Sequence, residues 1–176
     1  MDVKLLGIYL NDHLAGSTTG LELARRAARE NQGTELGDFL STLARELEED
    51  RGVLQQVQRA LNVPHDHFKQ GTAWLMERLG RLKLNGRLVG YSPLSRMLEL
   101  EGLFLGSQGR RLLWRMLKKL ARTERRLAGF DFEALIARTE QHLRGLERWR
   151  LLAADTAFTH ARFLPHTAAP MESHGA

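Results

Sequence analysis

A chain of 176 residues, 43% hydrophobic and 27% charged, is long enough to bury its own core and too apolar to remain disordered. It contains no cysteine, which excludes disulfides, zinc–thiolate centres, iron–sulfur clusters and a thiol nucleophile. The net charge of +5 is unevenly placed: residues 1–62 carry seven Lys/Arg against ten Asp/Glu, residues 63–126 fourteen against five, and residues 127–176 five against six, so the basic character belongs to the middle of the chain.

The opening Met1-Asp-Val-Lys-Leu-Leu-Gly7 has no basic stretch leading into a long apolar run and does not read as a signal peptide. No segment approaches the roughly eighteen uninterrupted apolar residues that a bilayer span requires. A cytoplasmic location is expected by elimination. Only four prolines occur, at positions 64, 93, 165 and 170. The Leu/Ala/Arg/Glu-rich stretches between them favour helix, because these side chains lose little freedom there.

A first helix is expected from about Asp2 to Asn31, with Val3, Leu6, Leu10, His13, Ser17, Leu21, Ala24 and Ala28 along one stripe. Gln32-Gly33 breaks it and Thr34 reads as the next N-cap. The second helix, about Glu35 to Asn62, carries Leu36, Leu40, Leu43, Leu47, Asp50, Leu54, Val57 and Leu61 at alternating spacings of four and three. Asp50 is the one polar member. A crossover follows, with a shorter helix near Asp66 to Leu84 and a glycine-containing stretch Asn85–Gly90.

Ser92-Pro93 then reads as N-cap plus first helical position, opening a helix that continues into the 120s. After Gly129 a last helix is expected from about Asp131 to Phe163, with Leu135, Thr139, His142, Leu146, Trp149, Ala153, Thr156 and His160 on its stripe. Residues 1–164 form one bundle domain in this reading, and residues 165–176 a loosely held tail. Two long helices, a long connection and two more long helices predict an all-α, ferritin-like four-helix bundle with an extra helix in the crossover.

Two short segments carry a family resemblance. Leu10-Asn-Asp-His-Leu14 is similar to the opening of bacterioferritin-type first helices, and Leu98-Glu-Leu-Glu-Gly102 resembles the segment bearing the third-helix ligand. The resemblance implies a bacterial branch of the ferritin-like superfamily. It also implies a di-iron centre built from one carboxylate on each of two helices and Glu-x-x-His on the other two. Here the matching first-helix position is Ser17, Glu46 fits the second-helix carboxylate, and Glu49 stands where histidine is expected. In the third helix local similarity selects Glu99, whereas periodicity points Glu101 toward the core. Thr139-Glu-Gln-His142 places its histidine one position early. The centre is therefore expected to be incomplete, with Glu46, Glu49, Glu99, Glu101 and His142 the residues available to iron or another transition metal.

His13, Ser17, Glu46 and Asp50 are expected to form a buried polar cluster, because antiparallel packing sets His13 level with Asp50 one turn beyond Ser17 and Glu46. Such a cluster is either an acid/base or ligand site, or a hydrogen-bonded group that fixes helix register. If the carboxylates hold no metal, arginine partners or protonation must compensate them. The small residues of Gly16-Ser-Thr-Thr-Gly20 predict a close helix approach, while His65, His67, His166 and His174 read as surface histidines. No Ser/His/Asp series or nucleotide-binding glycine loop is present.

The last signal is the run from Arg110 to Arg126, with eight cations and one acid. Leu112, Leu113, Met116, Leu117 and Leu120 form its expected inward face, leaving Arg111, Arg115, Lys118, Arg122 and Arg125 outside. That face is either solvated, and compensated by Glu48 or Glu49, or it meets an anionic partner such as nucleic acid, a membrane surface or an acidic protein. The leading expectation is a non-enzymatic interaction or assembly module without a cofactor, with a homodimer as one form of assembly. A divergent di-metal oxidase or iron-handling protein, and an anion-binding module, are the alternatives.

Overall fold

The computed structural model describes residues 2–63 and 91–159. The expected crossover helix, Asn85–Gly90 and the tail beyond Pro165 lie outside them. Four long helices make up the described chain: α1 (Val3–Glu30), α2 (Glu35–Ala60), α3 (Pro93–Leu120) and α4 (Phe132–Thr159), with a single 3₁₀ turn at Arg125–Leu127 before the last. No strand occurs among the described residues, and no described helix is long and apolar enough to cross a membrane.

Local chemistry sets each helix start. Asp2 accepts hydrogen bonds from the Lys4 and Leu5 amides, Thr34 from Gly37, Ser92 from Ser95 and Asp131 from Ala134, so each cap satisfies donors that the helix leaves open. The α1–α2 turn needs Gly33, whose φ of 78° is the left-handed conformation that glycine adopts without a Cβ penalty. Asn62 takes the same region, at φ 55°, just past the end of α2.

The helices pair most extensively within two hairpins, α1–α2 and α3–α4, and less across them. Arg26 reaches Glu99 and Gly109 lies beside His13, so α1 and α3 are antiparallel neighbours. Asp50 meets Arg138 and Glu46 meets His142, so α2 and α4 are too. It follows that α2 and α3 run parallel across the diagonal. Val63 packs on Gly7 at one end of the bundle, while the Tyr91 hydroxyl accepts from Asn31 at the other. The 61–92 connection therefore joins opposite ends. Tyr91 also donates to buried Glu99, whose other oxygen accepts from Arg26 at 2.6 Å. This network ties the start of α3 to the α1–α2 turn.

The stripes expected of α2 are realised throughout: all eight of its members are buried, Asp50 included. The core falls into two apolar halves. One gathers Leu21, Leu40, Leu43, Leu47, Leu103 and Leu146 toward the turn. The other gathers Leu10, Leu54, Val57, Leu113, Trp114 and Leu135 toward the chain's first residues. Between them runs a polar belt, made of His13 and Ser17 on α1, Asp50 on α2, Ser107 and Arg110 on α3, and Thr139 and His142 on α4.

Glycine substitutions test this packing. A Cβ on Gly37 would lie 2.2 Å from the Asn31 carbonyl oxygen, whereas one on Gly52 of the same helix meets nothing within 4 Å. Gly37→Ala should cost about 1–3 kcal/mol through forced backbone movement. Gly52→Ala should add about 0.5–1 kcal/mol, since alanine is the better helix former. Urea unfolding of the two variants checks both signs.

Candidate functional site

Asp50, only 2% exposed, is the centre of the belt. Its Oδ2 faces Arg110 Nε at 3.2 Å, and its Oδ1 accepts from Arg138. Arg138 also donates to Glu49 at 2.8 Å. Burial pushes the Asp50 carboxyl above the usual carboxylate range, while Arg110 and Arg138 pull it back. Burial draws Arg110 down to about 10, against the pull of Asp50, so this guanidinium stays charged at neutral pH. Burial also acts to lower Arg138, but Asp50 and Glu49 together hold it above its ordinary value. With guanidiniums against both of its oxygens, Asp50 is the ionised partner of two cations.

His142 closes the network. Arg110 Nη2 lies 2.8 Å from its Nδ1, and its Nε2 lies 2.5 Å from Glu46 Oε2. A guanidinium can only donate, so Nδ1 must carry a lone pair and the ring proton sits on Nε2, where it is donated to Glu46. The imidazole is thus neutral. Burial lowers its pKa, and Arg110 lowers it further against the opposing pull of Glu46 and Asp50.

Beside this network lies a cavity of about 440 Å³ between α1, α2 and α3. Five glycines line it: Gly16 and Gly20 from α1, and Gly102, Gly106 and Gly109 from α3. A Cβ on half-buried Gly16 or Gly20 would meet nothing within 4 Å, while Gly106 is exposed at the edge. Gly16 and Gly20 therefore do not bring helices together, as their spacing suggested; they hold a space open. Leu23, Leu47, Leu54, Leu103 and Leu113 supply apolar walls. Asp50, Arg51, Arg110 and Trp114 also line it; Asp50 Oδ2 and Arg110 Nε face each other at 3.2 Å, while Arg51 Nε and Trp114 Nε1 are enclosed without a hydrogen-bond partner. His13 lines the same cavity, edge-on to Tyr9 with ring centroids 4.6 Å apart. Burial lowers its pKa, with Asp12 opposing.

The residues singled out from sequence are only partly brought together. Asp50 is buried as expected, but both of its oxygens face arginines, so no direct hydrogen bond joins it to half-buried His13 among the described residues. Ser17 is half-buried and donates to the Leu14 carbonyl within its own helix. Glu46 engages His142 on the far side of Asp50 from the cavity lining. Glu49 is spent on Arg45 and Arg138. Glu99, not Glu101, is the third-helix carboxylate that turns inward, and it sits with Arg26 and Tyr91 at the turn end of the bundle. Arg110 and Arg138 were missed. Arg110 could have been found, because Leu100, Leu103, Ser107, Arg110, Trp114 and Leu117 continue an inward stripe at alternating spacings of three and four.

The basic run departs from expectation at two positions. Leu112 is 58% exposed, its inward place taken by buried Trp114, and Arg111 is half-buried with its Nε enclosed. Arg115, Arg122 and Arg125 are exposed and have no ion pair among the described residues. Glu48 and Glu49 do not compensate the outer face: Glu48 pairs with Arg25, Glu49 with Arg45 and Arg138, and Lys118 takes its acid, Glu133, from α4, whereas Arg110 at the start of the run pairs with Asp50 of α2.

Comparison with protein-family models, with curated proteins and with solved structures returns no match. The site must therefore be judged on its own chemistry. Among the described residues, no group of three or more His, Asp or Glu side chains is placed to hold a metal ion. Both ring nitrogens of His142 are engaged, and two fixed guanidiniums occupy Asp50. A divalent cation would have to displace them and would meet their repulsion at short range. The donor set does not fit a di-iron centre.

Acidification probes the neutral imidazole directly. The unfolded chain takes up its His142 proton near the ordinary value of 6.5, the folded chain only below it. The stability contributed by His142 is therefore complete above that value and lost as pH falls from it toward the lower folded value. The stability advantage of wild type over His142→Gln should shrink between about pH 7.5 and pH 5. Urea unfolding across that range gives the answer, and an advantage that grows on acidification would contradict the assignment.

Proposed function

We propose that the protein is a non-enzymatic helical bundle of ferritin-like topology that binds a small organic molecule between its two hairpins. The observation that carries this reading is the glycine-walled cavity. Each glycine within a helix costs about 1 kcal/mol relative to alanine, and at half-buried Gly16 and Gly20 no close contact offsets that cost. Apolar walls with a few converging polar groups are what small-molecule sites present. The ferritin-like assignment draws on the antiparallel hairpins, the connection between opposite ends of the bundle, and the Leu10–Leu14 and Leu98–Gly102 resemblances. The di-metal oxidase is the weaker reading, because Asp50 is paired with two arginines and both ring nitrogens of His142 are engaged.

An uncharged apolar fluorophore, N-phenyl-1-naphthylamine, tests the proposal. Its emission should rise on addition of protein and saturate at one molecule per chain. Gly20→Leu should fill the cavity and weaken binding by at least about tenfold, while the unfolding midpoint holds or rises. Equal affinity in the two proteins, with Gly20→Leu folded, would place the probe elsewhere.

A second reading rests on the exposed Arg115 and Arg122, which line an open groove with Lys118, Lys119, Glu133 and Glu140. In this reading the groove binds a polyanion, with an affinity that falls steeply as salt rises. Duplex DNA titrated at two salt concentrations separates it from the cavity reading, since Gly20→Leu would leave such binding unchanged.

A further inference from the structure

The polar atoms left unspent around the cavity are not balanced between donors and acceptors. Two N–H donors, Arg51 Nε and Trp114 Nε1, have no partner, whereas Arg110 Nε and Asp50 Oδ2 face each other at 3.2 Å. The charge of Asp50 is already matched by Arg110 and Arg138. Arg51 is different: it lines the cavity, is half-buried, and has no ion pair among the described residues. Trp114 is 1% exposed, so its unpartnered indole N–H has no access to bulk water. A buried donor without an acceptor is costly. The other acid in the lining, Asp12, is exposed at its edge. Leucines lie on both sides of this polar level, Leu23, Leu47 and Leu103 toward the turn and Leu54 and Leu113 away from it.

Resting on the binding reading above, we propose that the ligand is an amphiphilic monocarboxylate, its apolar body against the leucine walls and its carboxylate taken by Arg51. Of the two arginines in the lining, Arg51 is the one without an ion pair among the described residues, and a guanidinium matches a carboxylate with two parallel N–H donors. Arg110 has already committed its donors to Asp50 and His142, so it shapes the polar level and is not the anchor. A cationic amphiphile is disfavoured, because it would meet Arg51 and compete with two guanidiniums for Asp50.

Calorimetric titration with three probes of one chain length, decanoate, 1-decanol and decylammonium, each below its aggregation concentration, tests the class. Decanoate should bind at one per chain, roughly ten- to hundredfold tighter than 1-decanol, which is the advantage of a charge-assisted over a neutral hydrogen bond. Decylammonium should bind most weakly. Arg51→Gln should bring decanoate down to the 1-decanol level while leaving 1-decanol unchanged, and Arg51→Lys should restore part of the preference. Equal binding of all three probes to wild type, or a preference for decylammonium, would overturn the carboxylate class but leave the cavity as a site. A decanoate preference that survives in Arg51→Gln would overturn Arg51 as the anchor. Binding of none of the three would overturn this proposal, and the cavity reading with it if the uncharged fluorophore also fails to bind.

Discussion

One buried carboxylate sets the terms for the rest of this bundle. Asp50 sits on α2 among leucines, where an unpaired charge would be prohibitively costly. Arg110 of α3 and Arg138 of α4 both reach it. The arrangement links the two hairpins through charge at the level where the apolar core is interrupted. Such a network adds little net stability relative to a well-packed apolar core, because desolvation offsets most of the attraction. What it imposes is register: sliding either hairpin by one turn would place Asp50 or its arginines against leucine.

The same interruption accounts for the cavity. Leucine layers on either side pack side chain to side chain, but at the belt α1 and α3 face each other through glycine, serine and histidine. The space is therefore a product of sequence choices on two helices, not of loose packing in general. Helix-destabilising residues that touch nothing are hard to explain by stability and straightforward to explain by a ligand. Arginine side chains supply the positive charge that the buried carboxylates Asp50 and Glu99 require.

Much of the architecture was legible in the sequence, because the stripe of α2 is uninterrupted and the caps Thr34 and Ser92 carry their own chemistry. Asp50 stood out as the one polar residue in that stripe. Its partners did not. Arg110 was masked by membership of a basic run, where local composition suggested a solvated face, although its spacing from Ser107 and Trp114 pointed inward. Arg138 flanks the α4 stripe, and only the three-dimensional approach of α2 and α4 brings it to Asp50. His13 lines the same cavity as Asp50 but makes no direct hydrogen bond to it among the described residues, since depth along a helix does not fix which side chain wins a carboxylate. The cavity was beyond reach, because glycine spacing reads equally as close approach or as space, and only the neighbouring helix decides between them.

The claim on which this account stands is that Asp50 is an ionised partner of Arg110 and Arg138 in the protein interior. The most direct measurement is the stability cost of Asp50→Leu in two backgrounds, wild type and a chain carrying Arg110→Met and Arg138→Leu. In wild type the substitution should cost about 3–5 kcal/mol, because two buried cations lose their counter-charge. In the double-variant background it should cost nothing or raise stability. Equal costs in the two backgrounds would show that Asp50 does not depend on these arginines, and would contradict the account.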